Sequence, residues 1–245
     1  MTRALNAELI KLRTTRTFFA LTVTAAGLSV LVVALFASLA TDLTGNDVRA
    51  LFTADFTGPF ILLLGAIGMS GEFRHRTIAS TALSTPQRLV LMLSKLAAYA
   101  AAGVLLSLLV NLAIIPVGAL ILSARDEVTL SFGDHLDILW RNLVVAAFFG
   151  PLGVCVGTLI RNQVGAIVAL LAYLLVVDSA LSGLAFDVWR WGPFGGLPAA
   201  ITGVGPDGEP DPDLLSTGAG IVLELGWLAL FAVAALAWLR RRDLV

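Results

Sequence analysis

Residues Ser70 to Arg88 read SGEFRHRTIASTALSTPQR, a polar segment that stands between two long apolar runs. It carries one acid, three arginines and a histidine among several hydroxyl side chains. An apolar run of about 17 to 25 residues crosses the roughly 30 Å core of a bilayer as a helix, whereas a segment this polar stays in water. The stretch therefore predicts a connection between two membrane spans, and its charge helps to decide on which side of the membrane it lies.

The composition of the chain is that of a membrane protein. Of its 245 residues, 58% are hydrophobic and 13% are charged, whereas a soluble domain carries roughly 25% charged residues. The mean hydropathy is +0.92. The net charge of -1 disfavours a nucleic-acid-binding protein, which needs a basic surplus or stripe. Cys155 is the only cysteine, so an intrachain disulfide is excluded.

Hydropathy predicts an all-α membrane protein with six transmembrane helices in a single domain, residues 1–245. The first run, Phe18 to Ala40, has 23 residues and exceeds a signal-peptide core of about 7 to 15. The second run is short and has Pro59 near its start, so it either borrows residues from the preceding segment or breaks at the proline. The predicted regions are an N-terminal amphipathic segment (1–17), spans at about 18–40, 53–71, 96–122, 139–160, 164–184 and 217–239, a polar segment (72–95) and a long loop (185–216). The aromatic first half of that loop predicts re-entrant or interfacial helices before helix six.

The distribution of charge predicts the orientation. Basic residues collect on the cytoplasmic side of a membrane protein, whereas acids have little weight. With six spans and a cytoplasmic N-terminus, twelve of the 16 Lys and Arg residues fall on the cytoplasmic side. We therefore expect a multi-pass protein of the plasma membrane with both termini and segment 72–95 in the cytoplasm. The opposite side collects acids, namely Asp42, Asp47, Asp55, Asp126, Glu127, Asp134, Asp137, Asp187, Asp207, Glu209, Asp211 and Asp213.

Several catalytic and ligand-binding motifs are absent from the sequence. A P-loop needs a glycine directly before its lysine, and neither Lys11 nor Lys95 follows a glycine, so the chain is not its own P-loop ATPase. Glu72 and His75 have the spacing of a metal-ligand pair, but a second pair is missing, and no metal site is predicted. Neither histidine falls in a span, which disfavours a membrane enzyme with a buried nucleophile and base.

Four residues inside the predicted spans are candidates for a specific role. Asp178 and Glu224 each fall about 10 Å from the outer end of a span. A carboxyl group in a membrane is costly and is a candidate functional group. The alternative is a protonated or hydrogen-bonded group in the bundle interior, and the sequence leaves both open. Gly153 and Gly157 form a GxxxG pattern, which predicts close helix packing rather than a nucleophile elbow.

The two polar segments on the cytoplasmic side also carry structural signals. Leu5, Leu9 and Leu12 recur at helical spacing, which predicts a short amphipathic helix on the inner membrane surface. Ser84 or Thr85, followed by a proline, predicts the N-cap of the third long helix. Segment 72–95 is thus predicted to be a compact cytoplasmic element, and the alternative is a solvated positive loop.

Together these features resemble the bacterial ABC-2 type permeases, which are the membrane subunits of ATP-binding cassette exporters. The resemblance rests on six spans, the amphipathic entry ELIKLRTTRT (8–17), the segment GEFRHRTIASTALSTPQRLVLMLSK (71–95) and the long loop before span six. It covers essentially the whole chain, and residues 71–95 are its most specific part.

The resemblance implies a permease subunit of an ATP-driven exporter, in which the N-terminal helix is an elbow at the cytoplasmic face. Its partners would be a second copy of itself, the lipid bilayer and a separate ATP-binding subunit. ATP and Mg would bind to that subunit, and this chain would hold no cofactor. The cap of the pathway would fall on Phe186 to Ala199. Contacts that couple the permease to the ATPase would fall on Glu72, Arg74, His75, Arg76, Thr77 and Arg88.

An alternative function is a self-contained, ion-coupled secondary transporter. In that case Asp178 and Glu224 would be the proton carriers, because they lie deep within the fifth and sixth predicted spans.

Overall fold

The computed structural model of the chain describes residues 2–53, 55–75, 77 and 87–240. Helices make up most of this part of the chain, and no strand occurs within it. In chain order the helices are α1 (Thr2–Thr14), α2 (Arg16–Leu39), α3 (Gly45–Thr53), α4 (Thr57–Arg74), α5 (Arg88–Ala124), α6 (Phe132–Leu159), α7 (Gln163–Ala172), a π-helical turn (Tyr173–Val177), α8 (Asp178–Leu184), α9 (Phe186–Trp189), α10 (Gly196–Thr202) and α11 (Thr217–Arg240).

Six helical stretches of the described chain are long and apolar enough to cross a membrane. They confirm the predicted all-α class and the number of apolar helices, and they indicate a multi-pass membrane protein. The stretches are Arg16–Leu39, Gly45–Arg74, Arg88–Ala124, Phe132–Leu159, Gln163–Leu184 and Thr217–Arg240.

The second stretch is interrupted between the end of α3 at Thr53 and the start of α4 at Thr57. Pro59 is the third residue of α4. A proline is tolerated in the first turn of a helix, because the amide that it lacks has no partner within the helix there. The interruption therefore lies ahead of the proline rather than at it, and α3 supplies the residues that the short apolar run lacked.

The third stretch is one helix of 37 residues, α5, which is about 55 Å long at 1.5 Å per residue. It exceeds the roughly 30 Å apolar core of a bilayer, so it extends beyond that core. Its N-cap is Gln87, whose backbone is extended at φ -80° and ψ 99°. The predicted N-cap at Ser84 or Thr85 is therefore wrong, because a helix that began there would have to include Gln87. Residues 84–86 themselves lie outside the described part of the chain.

The fourth stretch, α6, begins at Phe132, seven residues before the predicted start. Ser131 and Asp134 form a capping box there, in which each side chain accepts a hydrogen bond from the other residue's backbone amide, at 3.2 and 3.1 Å. These bonds pair amides that have no partner within the helix. Hydropathy alone does not register such a cap, so the predicted start was too late.

Small residues allow α4, α5 and α6 to approach closely at the centre of the bundle. A Cβ atom added at Gly153 would overlap the carbonyl of Leu62, and one at Gly157 would meet the backbone of Ala66 at 2.9 Å or less. Gly65 of α4 lies against the backbone of α6 in the same way. The two glycines of the GxxxG pattern thus lie in the contact between α4 and α6, where larger side chains would separate the backbones.

The remaining long helices surround this centre and bury one face each. On α2 the buried residues are Ala25, Ser29, Val33 and Ala37, which recur every four positions on a single face. The other faces of α2 expose large apolar side chains. Lipid tails are as apolar as leucine, so such faces suit contact with a bilayer.

The loop of residues 185–216 folds back onto the bundle. The side chains of Trp189, Leu197 and Ile201 are buried, and α10 contacts both α6 and α11. The predicted cap, Phe186 to Ala199, contains α9 and the first four residues of α10. The apolar first half of the loop is thus part of the packed structure.

Candidate functional site

The bundle has two ends of different chemistry. The basic end is where α4 ends and α5 begins, and the acidic end is where α5 ends and α6 begins. Both ends hold polar side chains that link several helices, and the two groups are described in turn.

Four charged side chains meet at the basic end, namely Glu8 and Lys11 of α1, Glu72 of α4 and Lys95 of α5. We call this group the charge cluster. Lys95 Nζ lies 2.8 Å from Glu8 Oε2 and 2.6 Å from Glu72 Oε1. Lys11 Nζ lies 3.0 Å from Glu8 Oε1 and 2.9 Å from Glu72 Oε1. Each ammonium group contacts both carboxylates, so the charge cluster links three helices.

Burial makes the charge cluster depend on its internal pairs. The side chain of Lys95 is 2% exposed and that of Glu8 is 5% exposed, whereas that of Lys11 is 46% exposed. A charge that leaves water is stable only when it is paired and hydrogen-bonded. Lys95 therefore relies on the two acids, while Lys11 also contacts solvent.

The pKa values of two members show that the charged forms are favoured. Burial by itself raises the pKa of Glu8, but the charge and hydrogen bond of Lys95, together with Lys11, outweigh it, and the pKa is lowered from 4.5. Burial by itself lowers the pKa of Lys11, but Glu72 and Glu8 outweigh it, and the pKa is raised from 10.5. An opposite charge at this distance stabilises the ionised form, so both groups are charged at neutral pH.

The structure places the residues predicted to couple to an ATPase in two settings. Glu72 belongs to the charge cluster, and only 11% of its side chain is exposed. Arg74, His75 and Thr77 are exposed at the end of α4 and just beyond it. Arg76 lies outside the described residues. Glu72 is thus engaged within the chain, while the three exposed residues form a surface.

Two of the basic residues also link helices. Arg74 Nη1 donates to Gln163 Oε1 at 3.2 Å, at the start of α7. Arg88 donates a hydrogen bond to the carbonyl of Leu239, near the end of α11. The last turn of α4 is therefore tied to the start of α7, and the first turn of α5 is tied to the end of α11.

A cavity of about 550 Å³ lies beside the charge cluster. Its lining includes Glu8, Glu72, His75, Tyr99 and Gln163, which come from α1, the end of α4, α5 and the start of α7. The described chain offers no hydrogen-bond partner to Oε2 of Glu72. The exposed end of α4 thus borders a polar cavity at the basic end.

The two acids proposed as candidate functional groups, Asp178 and Glu224, have different environments. Asp178 Oδ1 accepts a hydrogen bond from the indole of Trp189 at 3.0 Å, which joins α8 to α9. Glu224 of α11 is 1% exposed, and neither of its carboxyl oxygens has a hydrogen-bond partner among the described residues. Such a group is costly in a membrane, so Glu224 remains a candidate functional residue, whereas Asp178 has a structural partner.

A polar group at the acidic end was not predicted from the sequence. Asn111 Nδ2 donates to Asp55 Oδ2 at 2.9 Å, and Asn142 Nδ2 donates to Asn111 Oδ1 at 3.1 Å. We call these three residues the amide network. Asn142 also donates to the carbonyl of Phe52 at 3.1 Å, and Asp55 Oδ1 accepts from the amide of Thr57 at 3.1 Å. The amide network therefore holds the interruption between α3 and α4 against α5 and α6.

Arg141 of α6 links the loop of residues 185–216 to the acidic end of the bundle. Its Nη1 donates to the carbonyl of Ile201 at 2.8 Å and to Thr217 Oγ1 at 2.9 Å. Its Nε donates to Asp137 Oδ1 at 2.9 Å, and Asp137 also pairs with Arg49 of α3. One guanidinium group thus connects α6 with the end of α10 and the start of α11.

No protein-family model matches the chain, and no curated protein sequence matches it significantly. In the described part of the chain, no group of three or more His, Cys, Asp or Glu residues is placed to hold a metal ion. The function must therefore be inferred from the sequence and from the geometry of the two ends.

Proposed function

We propose that this chain is the permease subunit of an ATP-driven ABC exporter. It works as two copies with two separate ATP-binding subunits, which bind ATP and Mg. In this proposal the protein lies in the plasma membrane, and its basic end and both termini face the cytoplasm. The resemblance to ABC-2 permeases supports the proposal, as do the six apolar helices and the excess of basic residues at one end.

The charge cluster is the observation that carries the proposal. It joins the N-terminal helix to the last turn of α4 and to the early turns of α5. Of these, α4 and α5 are the two helices that flank residues 75–87. A force that an ATPase applied to this segment would therefore reach α1, α4 and α5 together instead of bending one helix.

Two further contacts extend this route to the acidic end. The close contact at Gly65, Gly153 and Gly157, which we call the glycine contact, joins the middle of α4 to the second half of α6. Closely packed elements move as units rather than deform continuously. Arg141 then connects α6 to α10 and α11. A tilt imposed at the basic end would thus shift the loop at the acidic end, as alternating access requires.

Co-purification tests the proposal. Mild extraction of the tagged chain from its native membrane is expected to recover a P-loop ATPase in a near-stoichiometric amount. Arg74→Glu is expected to weaken that recovery, because Arg74 is exposed at the end of α4, while membrane insertion stays intact. Arg190→Glu, at the acidic end, is the matched control and should recover the ATPase normally. Recovery of the folded chain alone, from membranes that contain its natural partners, would refute the proposal.

The alternative, an ion-coupled transporter, is favoured by one observation, the buried and unpaired carboxyl group of Glu224 within the described chain. It predicts that the purified chain, reconstituted without an ATPase, moves protons or a coupled solute down an imposed proton gradient. Glu224→Gln should abolish this flux, and Asp178→Asn should reduce it. The exporter proposal predicts no such flux from the chain alone.

A further inference from the structure

A second cavity, of about 200 Å³, lies between the amide network and the loop at the acidic end. Its lining includes the polar side chains of Asp55 and Asn142, and it also includes the apolar side chains of Leu174, Phe149 and Phe194. The volume is below the roughly 300 to 1,000 Å³ of sites for drug-sized ligands. The cavity therefore suits a small ligand that carries both a polar group and apolar groups.

The electrostatics of this cavity favour a cation. Asp55 is the only charged residue among the described residues that line it, and it forms no ion pair with any described residue. The arginines Arg49 and Arg141 of the same end pair with Asp137 instead. A carboxyl group within a membrane protein commonly faces a cation or a transported ligand. Asp55 lacks such a cation within the described chain.

The aromatic side chains that line the cavity also suit a cation. The ring of Phe194 lies edge-to-face with Phe149, Tyr173 and Phe231, with centroid distances of 6.3, 5.2 and 6.2 Å. These neighbours fix the ring in place. The face of an aromatic ring attracts quaternary and protonated ammonium groups, while the alkyl substituents of such cations pack against apolar side chains.

We propose that this cavity binds a small organic cation, a quaternary or protonated amine with short apolar substituents. The ammonium group lies toward Asp55, and the substituents lie against Phe149 and Phe194. The site is remote from the proposed ATPase surface, because Asn111 is 16 residues beyond Lys95 on α5, which is about 24 Å along the helix. That the ligand is exported cargo rests on the proposed function, whereas the binding site does not.

Equilibrium binding of radiolabelled choline to the purified full-length chain in nanodiscs tests the proposal. Choline is expected to bind saturably, and 3,3-dimethylbutan-1-ol, its uncharged isostere, should compete at least about tenfold more weakly, because it lacks the charge that Asp55 recognises. Tetrabutylammonium should not compete, because it exceeds the cavity. Asp55→Asn should weaken choline binding about tenfold or more. Asp187→Asn, which alters an acid that is 89% exposed, should leave binding unchanged.

Phe194→Leu gives a second, independent variant, because it keeps an apolar side chain and removes the aromatic face. It should weaken choline binding severalfold while leaving competition by the uncharged isostere unchanged. Reactivity of the buried Cys155 thiol shows whether each variant is folded. If Asp55→Asn does not fold, the isostere comparison on the unaltered chain and Phe194→Leu still decide.

Two results would overturn the inference: no saturable choline binding by the folded chain, or equal competition by choline and its uncharged isostere. Neither depends on an ATPase. A chain that binds choline through Asp55 but recovers no ATPase would refute the exporter and keep the site. A chain that recovers the ATPase but binds no choline would refute the binding site and leave the exporter proposal standing.

Discussion

The charge cluster and the amide network perform the same structural task by different chemistry. Each joins three segments of the bundle, the charge cluster at the last turn of α4 and the early turns of α5, and the amide network at the start of α4 and in the second half of α5. The charge cluster uses two ammonium groups and two carboxylates, so its strength depends on protonation and on the pairing of every charge. The amide network uses two carboxamides around one carboxyl group, so it depends mainly on hydrogen-bond geometry. Conditions that change charge should therefore loosen the basic end first.

The largest effect is expected from Lys95→Met, which removes the centre of the charge cluster. It leaves Glu8 and Glu72 without their buried counter-charge, and breaking a buried pair in this way costs roughly 3 to 5 kcal/mol of stability. Unfolding can be followed with a thiol-reactive dye, because the single cysteine, Cys155, is buried. Lys11→Met is the matched control, and since Lys11 is 46% exposed its loss should cost only about 0 to 1 kcal/mol. Equal losses for the two variants would contradict this account.

The glycine contact between α4 and α6 connects the basic end of the bundle to the acidic end. Gly153→Ala should force these two helices apart. The added Cβ would overlap the carbonyl of Leu62, and overpacking of this kind costs about 1 to 3 kcal/mol. Thermal unfolding by the same dye measures the loss. Gly226→Ala of α11 is the control, because a Cβ there meets nothing within 4 Å. That substitution should be neutral or should stabilise the helix by up to about 1 kcal/mol.

The amide network can be broken with Asn142→Leu. This substitution removes the donors to Asn111 Oδ1 and to the carbonyl of Phe52, and unpaired buried acceptors should lower stability by about 1 to 2 kcal/mol. Asn46→Leu, at an exposed position, should change it little. Equal losses of stability for Asn142→Leu and Asn46→Leu would contradict a structural role for the amide network.

The smallest effect is a dependence of stability on acid pH. The pKa of Glu8 is lowered from 4.5 in the folded chain, so its contribution is fully present above about pH 4.5 and is lost as the pH falls through the lowered value. The apparent melting temperature should therefore fall below pH 4.5, and it should fall less in Glu8→Gln. Asn142→Leu should keep the full acid dependence. An identical pH profile for Glu8→Gln and the unaltered chain would remove Glu8 as the cause.

The spans were predictable because hydropathy is a property of neighbouring residues, whereas the two polar groups join residues far apart in the chain. Lys95 and Glu8 are separated by 87 positions, and Asn111 and Asp55 by 56. The leucine spacing of α1 predicted a helix, but Glu8 lies on its buried side, and a helical pattern alone does not identify a partner for a buried acid.

Two local sequence patterns indicate features that hydropathy does not, namely the start of α6 and the amide network. Ser131 and Asp134 have the spacing of a capping box, and this pattern would have given the start of α6. For the amide network the available signal was weaker. Asn111 and Asn142 are polar residues in largely apolar segments, and such residues in membrane helices commonly bond to a neighbouring helix.

The place of both lysines in the charge cluster has a practical consequence for chemical labelling. Lys11 and Lys95 are the only side-chain amines of the chain, and their exposed fractions are 46% and 2%. An acylating reagent applied to intact membranes should modify Lys11 and spare Lys95. The mass of the peptide that contains Lys95 thus becomes a direct reporter of whether α1 has separated from α4 and α5.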